Sequence, residues 1–256
     1  MKFFVWLVKK TELLSALSIR LVYLTGKSKV PVHPKHLISK NYPQYLKYIK
    51  NGDIVLDLGC HQGEISLALT RKAQKVIAVD YDKKALGWGI VEQKRRKIKN
   101  ISFSEVNLEK NLPFKNNQFN PVFFLDVLEH LNNRDQVLNE IYRVLKEDGR
   151  LILAVPNKET SWKKIQKRAG IFYYSDPDHK IEFTMSEIEK LIKNHRFHID
   201  NIEPNAYDTP LNPLIDLAGG ISLTLYKRLR KWKSNMLKKY PLEGGGFLII
   251  ATKKNP

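Results

Sequence analysis

The chain has 256 residues, 43% of them hydrophobic, with a formal net charge of +18 and a single cysteine. That length can bury a sizeable core, and one cysteine excludes an internal disulfide, so a disulfide-stapled scaffold is ruled out. The charge is uneven: residues 1–50 hold ten Lys/Arg against one acid, residues 51–156 sixteen against fourteen, and residues 157–256 eighteen against eleven, which assigns the basic character to two appendages around a near-neutral middle.

At the N-terminus, Phe3, Phe4, Trp6, Leu7 and Val8 precede a periodic run through Leu13, Leu14, Leu17, Leu21 and Leu24 that Gly26 closes. This predicts an amphipathic helix within a basic extension over residues 1–40. Lys9, Lys10, Glu12 and Arg20 make it too charged to cross a bilayer. No charged n-region, apolar h-region and small-residue cleavage site line up there, so the expected localisation is cytoplasmic, with peripheral contact on the inner face of the membrane.

Residues 53–63 read Asp-Ile-Val-Leu-Asp-Leu-Gly-Cys-His-Gln-Gly, a buried strand running into a glycine turn with Asp57 planted two residues before Gly59. A dinucleotide loop brings three glycines to a pyrophosphate, beside which such an acid would sit badly. Here the spacing is D-x-G-x-x-x-G, ending at Gly63. The next strand, residues 75–80, ends in Asp80 and is followed by Tyr81; a carboxylate there can accept from both hydroxyls of a ribose. Residues 101–108 read as a third strand carrying Asn107 and Leu108. A fourth, within residues 117–131, begins at Pro121 or just after it, because proline lacks the N–H a central strand needs, and runs into Asp126-Val-Leu-Glu129-His130. A helix over 134–146 and a strand over 149–157 follow.

In that order these motifs resemble the class I S-adenosylmethionine (SAM) methyltransferases, of the methyltransferase type 11-like kind. The resemblance implies an α/β fold with a Rossmann-like, seven-stranded, mostly parallel sheet, helices on both faces and an antiparallel last strand. It implies SAM as cofactor, held by Asp57, Leu58, Gly59, Cys60, Gly63, Asp80, Tyr81, Asn107, Leu108 and Asp126. Asn107 stands where the family usually has an Asp, and its carbonyl can still accept from an adenine amino group.

Beyond residue 157 come a basic stretch through Arg168, the aromatics Phe172-Tyr173-Tyr174, and Asp178-His179-Lys180-Ile181-Glu182-Phe183-Thr184. Residues 158–184 are expected to form a lid-like insert. A helix over 185–194, with Ser186 near its start, and strands over 197–202 and 247–252 complete the methyltransferase domain of residues 41–256. A basic helical insert over 205–243 separates the last two strands. Within it Ile221, Leu225, Leu229, Trp232, Met236 and Tyr240 recur at three or four, and residues 217–239 hold seven Lys/Arg and no acid.

His130, His179 and Asp126 are the candidate catalytic residues, a histidine serving as base for an acceptor hydroxyl because imidazole titrates near neutrality. Asp126, Glu129, His130 and His179 also resemble the metal-binding pattern of small-RNA 2′-O-methyltransferases, yet D-x-x-E-H recurs where no metal binds, so no metal ligand is assigned. The expected function is O-methylation of a lipid-linked, glycan, quinone-like or other small-molecule acceptor at an anionic membrane surface. A metal-assisted RNA 2′-O-methyltransferase and a non-catalytic membrane-docking module remain the alternatives, nucleic acid being the weaker partner.

Overall fold

The computed structural model describes residues 2–28, 32–38 and 42–254, and for residues 2–12 and His36 the backbone alone. In chain order the elements are α1 (Lys2–Leu24), α2 (Pro34–Ile38), α3 (Pro43–Leu46), β1 (Ile54–Leu58), α4 (Glu64–Leu69), β2 (Lys75–Asp80), α5 (Lys83–Arg95), β3 (Ile101–Glu105) and β4 (Val122–Leu125). They continue with α6 (Arg134–Val144), β5 (Arg150–Pro156), α7 (Ser161–Arg168), α8 (Met185–Asn194), β6 (Phe197–Tyr207), α9 (Asn212–Ile221), α10 (Leu223–Lys239) and β7 (Gly244–Lys253). The chain divides into two compact units, one of residues 41–156, 176–203 and 247–256, the other of 1–40, 157–175 and 204–246. The domain boundary expected after residue 40 lies outside the described residues.

The seven strands run in the order β3-β2-β1-β4-β5-β7-β6, parallel except for the antiparallel last strand. Near-continuous apolar runs such as Val122–Leu125 suit strands covered on both faces. Side chains alternate accordingly: Val55, Phe123 and Ile152 join one core, Leu56, Leu58, Phe124 and Leu153 the other. β1 is flanked by β2 on one side and β4 on the other. In an open α/β sheet this reversal of strand order opens a crevice at the carboxyl ends, where Asp57 and Asp80 stand.

Several boundaries differ from expectation for identifiable reasons. One boundary is as expected: β4 starts just after Pro121, which contributes only its carbonyl, accepting from the Leu56 N–H at 3.2 Å. β3 stops at Glu105 because Asn107 turns the chain, its side-chain oxygen accepting from the Glu109 N–H at 2.9 Å. α8 spans its expected residues with Ser186 near its start, and Thr184 caps it: the Thr184 hydroxyl accepts from Glu187 N–H while the Glu187 carboxylate accepts from Thr184 N–H. β7 takes in Gly244–Gly246 instead of starting after them. The helix expected from Ile221 begins at Leu223, after Ser222 ends α9 and caps α10.

In the second unit α1 and α10 both pack against α9. The approach is close because a side chain at Gly220 would meet Ser18 and Leu21, and one at Gly219 would meet Pro34 and Tyr226. Asp216 on α9 accepts from Ser15 Oγ at 2.9 Å and pairs with His33 Nε2 at 3.2 Å. Burial alone would raise its carboxyl, but His33 and Ser15 hold it below the usual range. The side-chain face expected for Phe3, Phe4, Trp6, Leu7 and Val8 lies outside the described residues.

Candidate functional site

The glycine turn is built on the tip of β2. Gly59 and Cys60 N–H both donate to the Val79 carbonyl, at 2.8 and 3.0 Å, His61 N–H donates to Asp80 Oδ2 at 2.7 Å, and Gly63 N–H to the Cys60 carbonyl at 2.8 Å. A phosphate-binding loop keeps such amides pointing at its ligand; here they are spent on the fold. Gly59 and Gly63 take φ of +73° and +72°, the left-handed region glycine enters without strain. Their missing side chains make room for protein as well, since a Cβ at Gly59 would strike Val127 and one at Gly63 would strike Phe103. Gly63 then starts α4 directly.

Two buried carboxylates close this turn. Asp57, 4% exposed, accepts from Ser66 Oγ on α4. Burial pushes its carboxyl up to about 6, the Ser66 hydroxyl working against that shift and the nearby Asp80 charge adding to it. Asp80, 6% exposed, is pinned through both oxygens, Oδ2 by His61 N–H and Oδ1 by Asp82 N–H at 2.9 Å. Leu58 and Leu108 have core side chains, so only their backbones can serve a ligand. Cys60 is half-buried, Tyr81 is 78% exposed, and Asn107 is exposed with its side-chain oxygen already accepting from Glu109.

β4 ends at a bend where Asp126 adopts φ +56° while its N–H donates to the Ala154 carbonyl of β5 at 3.0 Å. That conformation turns an exposed carboxylate out of the strand and sends the chain into a single 3-10 turn, Leu128–His130. The turn buries Glu129 to 1% exposure. Lys180 N–H donates to the Glu129 carbonyl at 2.9 Å and brings His179 alongside. The His130 and His179 rings meet edge to face with centroids 4.8 Å apart. His179 Nδ1 bonds Glu182 Oε1 at 2.9 Å, and its Nε2 lies 3.8 Å from Glu129 Oε1.

The electrostatics of this cluster follow from burial. Burial pushes Glu129 up to about 8; its own backbone and His179 pull the other way, while Asp126 and Glu182 add to the rise. For His179 burial alone would lower the imidazole, but the Glu182 bond and the Glu129 charge outweigh it and the net direction is up. Glu129 Oε2 is buried with no hydrogen-bond partner. Donor atoms of Glu129, His130 and His179 lie within 4.8 Å of one another, an arrangement that can accommodate a divalent cation or pass a proton. Asp126, expected alongside them, is outside that group.

Tyr45 is the residue that sequence reasoning missed. It stands on α3 with its ring edge on Phe123 at 5.9 Å, and its phenol is pushed up by burial and then by the charges of Asp126 and Asp57. Nothing local in the sequence signals it, whereas Glu182, three residues from His179, was readable from the segment itself.

A family profile described as a methyltransferase domain matches residues 49–204. The chain belongs to the class I SAM-dependent methyltransferases. Its family cofactor is SAM. It is similar to the demethylmenaquinone methyltransferase of Lactobacillus johnsonii, 32% identical over 120 residues, covering 44% of this chain and 48% of that protein. It is also similar to the ubiquinone/menaquinone biosynthesis C-methyltransferase UbiE of Escherichia coli, 29% identical over 124 residues, 46% of this chain and 48% of that one. The chain thus spans about half the length of these curated relatives. The crystal structure of YcgJ from Bacillus subtilis has the same fold, with a TM-score of 0.58 at 19% identity, covering 84% of this chain and 98% of that one. No helix among the described residues is long and apolar enough to cross a membrane.

Proposed function

We propose that the protein transfers a methyl group from SAM to an oxygen of a lipid-linked, glycan or quinone-like acceptor presented at a membrane surface. The observation that carries this reading is the pair of buried strand-end carboxylates, Asp57 and Asp80, beside the Glu129–His130–His179 cluster in one unit. A carboxyl that burial pushes up to about 6 is stabilised as an anion by an incoming ammonium, which is what the methionyl end of SAM carries. Asp80 spends one bond per oxygen on the backbone and keeps lone pairs for ribose hydroxyls. The donor set therefore fits the cofactor.

SAM supplies a methyl group already activated on a sulfonium. What remains for the protein is alignment and the acceptor's proton. His179, oriented through Nδ1 by Glu182, presents Nε2 toward the cluster, and His130 stands against it; either imidazole can take a proton from a hydroxyl. The names of the two curated relatives favour the quinone-like class, and UbiE is named for carbon rather than oxygen, so the methylated atom has to be read from the product.

A second reading is a metal-assisted RNA 2′-O-methyltransferase, favoured by the unpartnered Glu129 Oε2 at the meeting point of two histidines. The two separate in one experiment. Purified protein and methyl-labelled SAM are incubated with cell extract, with and without EDTA, and label is partitioned among organic, RNA, protein and small-molecule fractions. Label in the organic phase that survives EDTA supports the first reading; EDTA-sensitive label in RNA replaces it with the second.

A further inference from the structure

Within the unit formed by residues 1–40, 157–175 and 204–246, the inner faces of the helices are packed among the described residues, for α1 from Leu13 onward. α1 lays Ser18 and Val22 inward, α9 offers Gly219 and Gly220, and α10 buries Tyr226 and half-buries Lys233, whose Nζ donates to Asn212 Oδ1 at 2.6 Å. Lys27 Nζ donates to the Gly220 carbonyl at 2.9 Å and fixes the end of α1. With those contacts made, the helices cannot roll to hide anything else.

What they leave outward is apolar at helical spacing. On α1, Leu13, Leu17, Arg20 and Leu24 form one exposed stripe, Leu13 at 61% and Leu24 at 74% exposure, with Tyr23 beside it. On α10, Ile221 just before the helix, Leu225 and Trp232 remain exposed, interleaved on the same outward half with Arg228, Lys231 and Lys239. The apolar face expected from periodicity is therefore split: Leu229 and Met236 turn partly inward, Leu225 turns out among cations, and Trp232, 37% exposed, lays its ring against Tyr207 with centroids 6.1 Å apart while its outer part stays open.

We propose that these outward stripes of α1 and α10 are an interfacial anchor for an anionic lipid leaflet. The inference deepens the membrane side of the reading above and does not depend on methyl transfer. Leucines and a tryptophan beside Lys and Arg match an interface whose headgroups are negative and whose interior is apolar. RNA rewards the cations but leaves the leucines in water. A symmetric contact with a second copy through α10 would set like charges against each other. The helices lie in the interface rather than across it.

The full chain is sedimented with neutral phosphatidylcholine vesicles and with vesicles carrying about 30% phosphatidylserine or phosphatidylglycerol. Binding is expected only to the anionic vesicles. Arg228→Glu with Lys231→Glu should weaken it tenfold or more, each cation accounting for about fivefold. Leu17→Ser with Leu225→Ser should remove the part of the binding that survives 0.5 M salt, at a melting temperature unchanged because all four residues are exposed. Sedimentation equal on neutral and anionic vesicles overturns the inference. So does absent vesicle binding, whether the chain then binds an RNA oligomer with a steep salt slope or forms a dimer that the leucine variant dissolves. Vesicle binding by the unaltered chain with no organic label formed upholds the anchor and defeats the methyl-transfer reading; organic label without vesicle binding does the reverse.

Discussion

The tips of β1 and β2 and the turn after β4 both bury carboxylates, but they treat them differently. Asp80 has a backbone amide on each oxygen and Asp57 has the Ser66 hydroxyl, whereas Glu129 is buried with one oxygen unpartnered and two histidines close by. A carboxylate that the fold has already oriented is built to hold something in one pose. One left uncompensated stays poised between protonated and charged, which suits proton transfer or a cation.

The comparison breaks most visibly at Asp80. Asp80→Ala should cost SAM at least a hundredfold in affinity, about 3 kcal/mol for two bonds to a charged acceptor, measured by calorimetry alongside a melting curve. Affinity within a factor of three of the parent would remove Asp80 from the cofactor site. Next comes His179→Ala, expected to lower turnover by roughly 10² to 10³ with SAM affinity unchanged; loss of affinity and turnover together would make the histidine a structural support.

The third effect is a stability slope. The folded chain binds an extra proton at Glu129 between the ordinary Glu range near 4.5 and about 8. Stability from that proton is therefore full at the acid end and is lost as pH rises toward 8, by on the order of 5 kcal/mol. Glu129→Gln should flatten the slope of melting temperature against pH across that window. An unaltered slope would show that the carboxyl is already compensated. The smallest effect sharpens the other half of the comparison. SAM affinity should fall as pH drops through about 6 and Asp57 loses its charge. Ser66→Ala should move that midpoint upward by removing the one bond that favours the anion; a midpoint that stays put or moves down would disconnect Ser66 from Asp57.

Much of this was readable from sequence where the signal is short-range. β2 ends on Asp80 because a largely buried strand stops at an acid that bonds back to its own turn, and α8 runs over its expected residues. The site was readable as far as Asp57, Asp80, His130 and His179, and became obscure where partners come from far away in sequence. Tyr45 reaches Phe123 across 78 positions, and Val127 and Phe103 fill the space beside the glycines through tertiary packing. On α10, periodicity alone could not distinguish Leu229 from Leu225, which lie about 40° apart on a helical wheel; the packing of α9 made that choice.

Asp126 carries an implication of another kind. Its left-handed backbone is a filter on the alphabet that this position can draw from. Glycine enters that region freely and asparagine nearly so, while a β-branched residue would have to remake the end of β4. The bend and the carboxylate are thus separable properties of one codon: drift at this site can discard the charge and keep the path of the chain, leaving the sheet beneath it undisturbed.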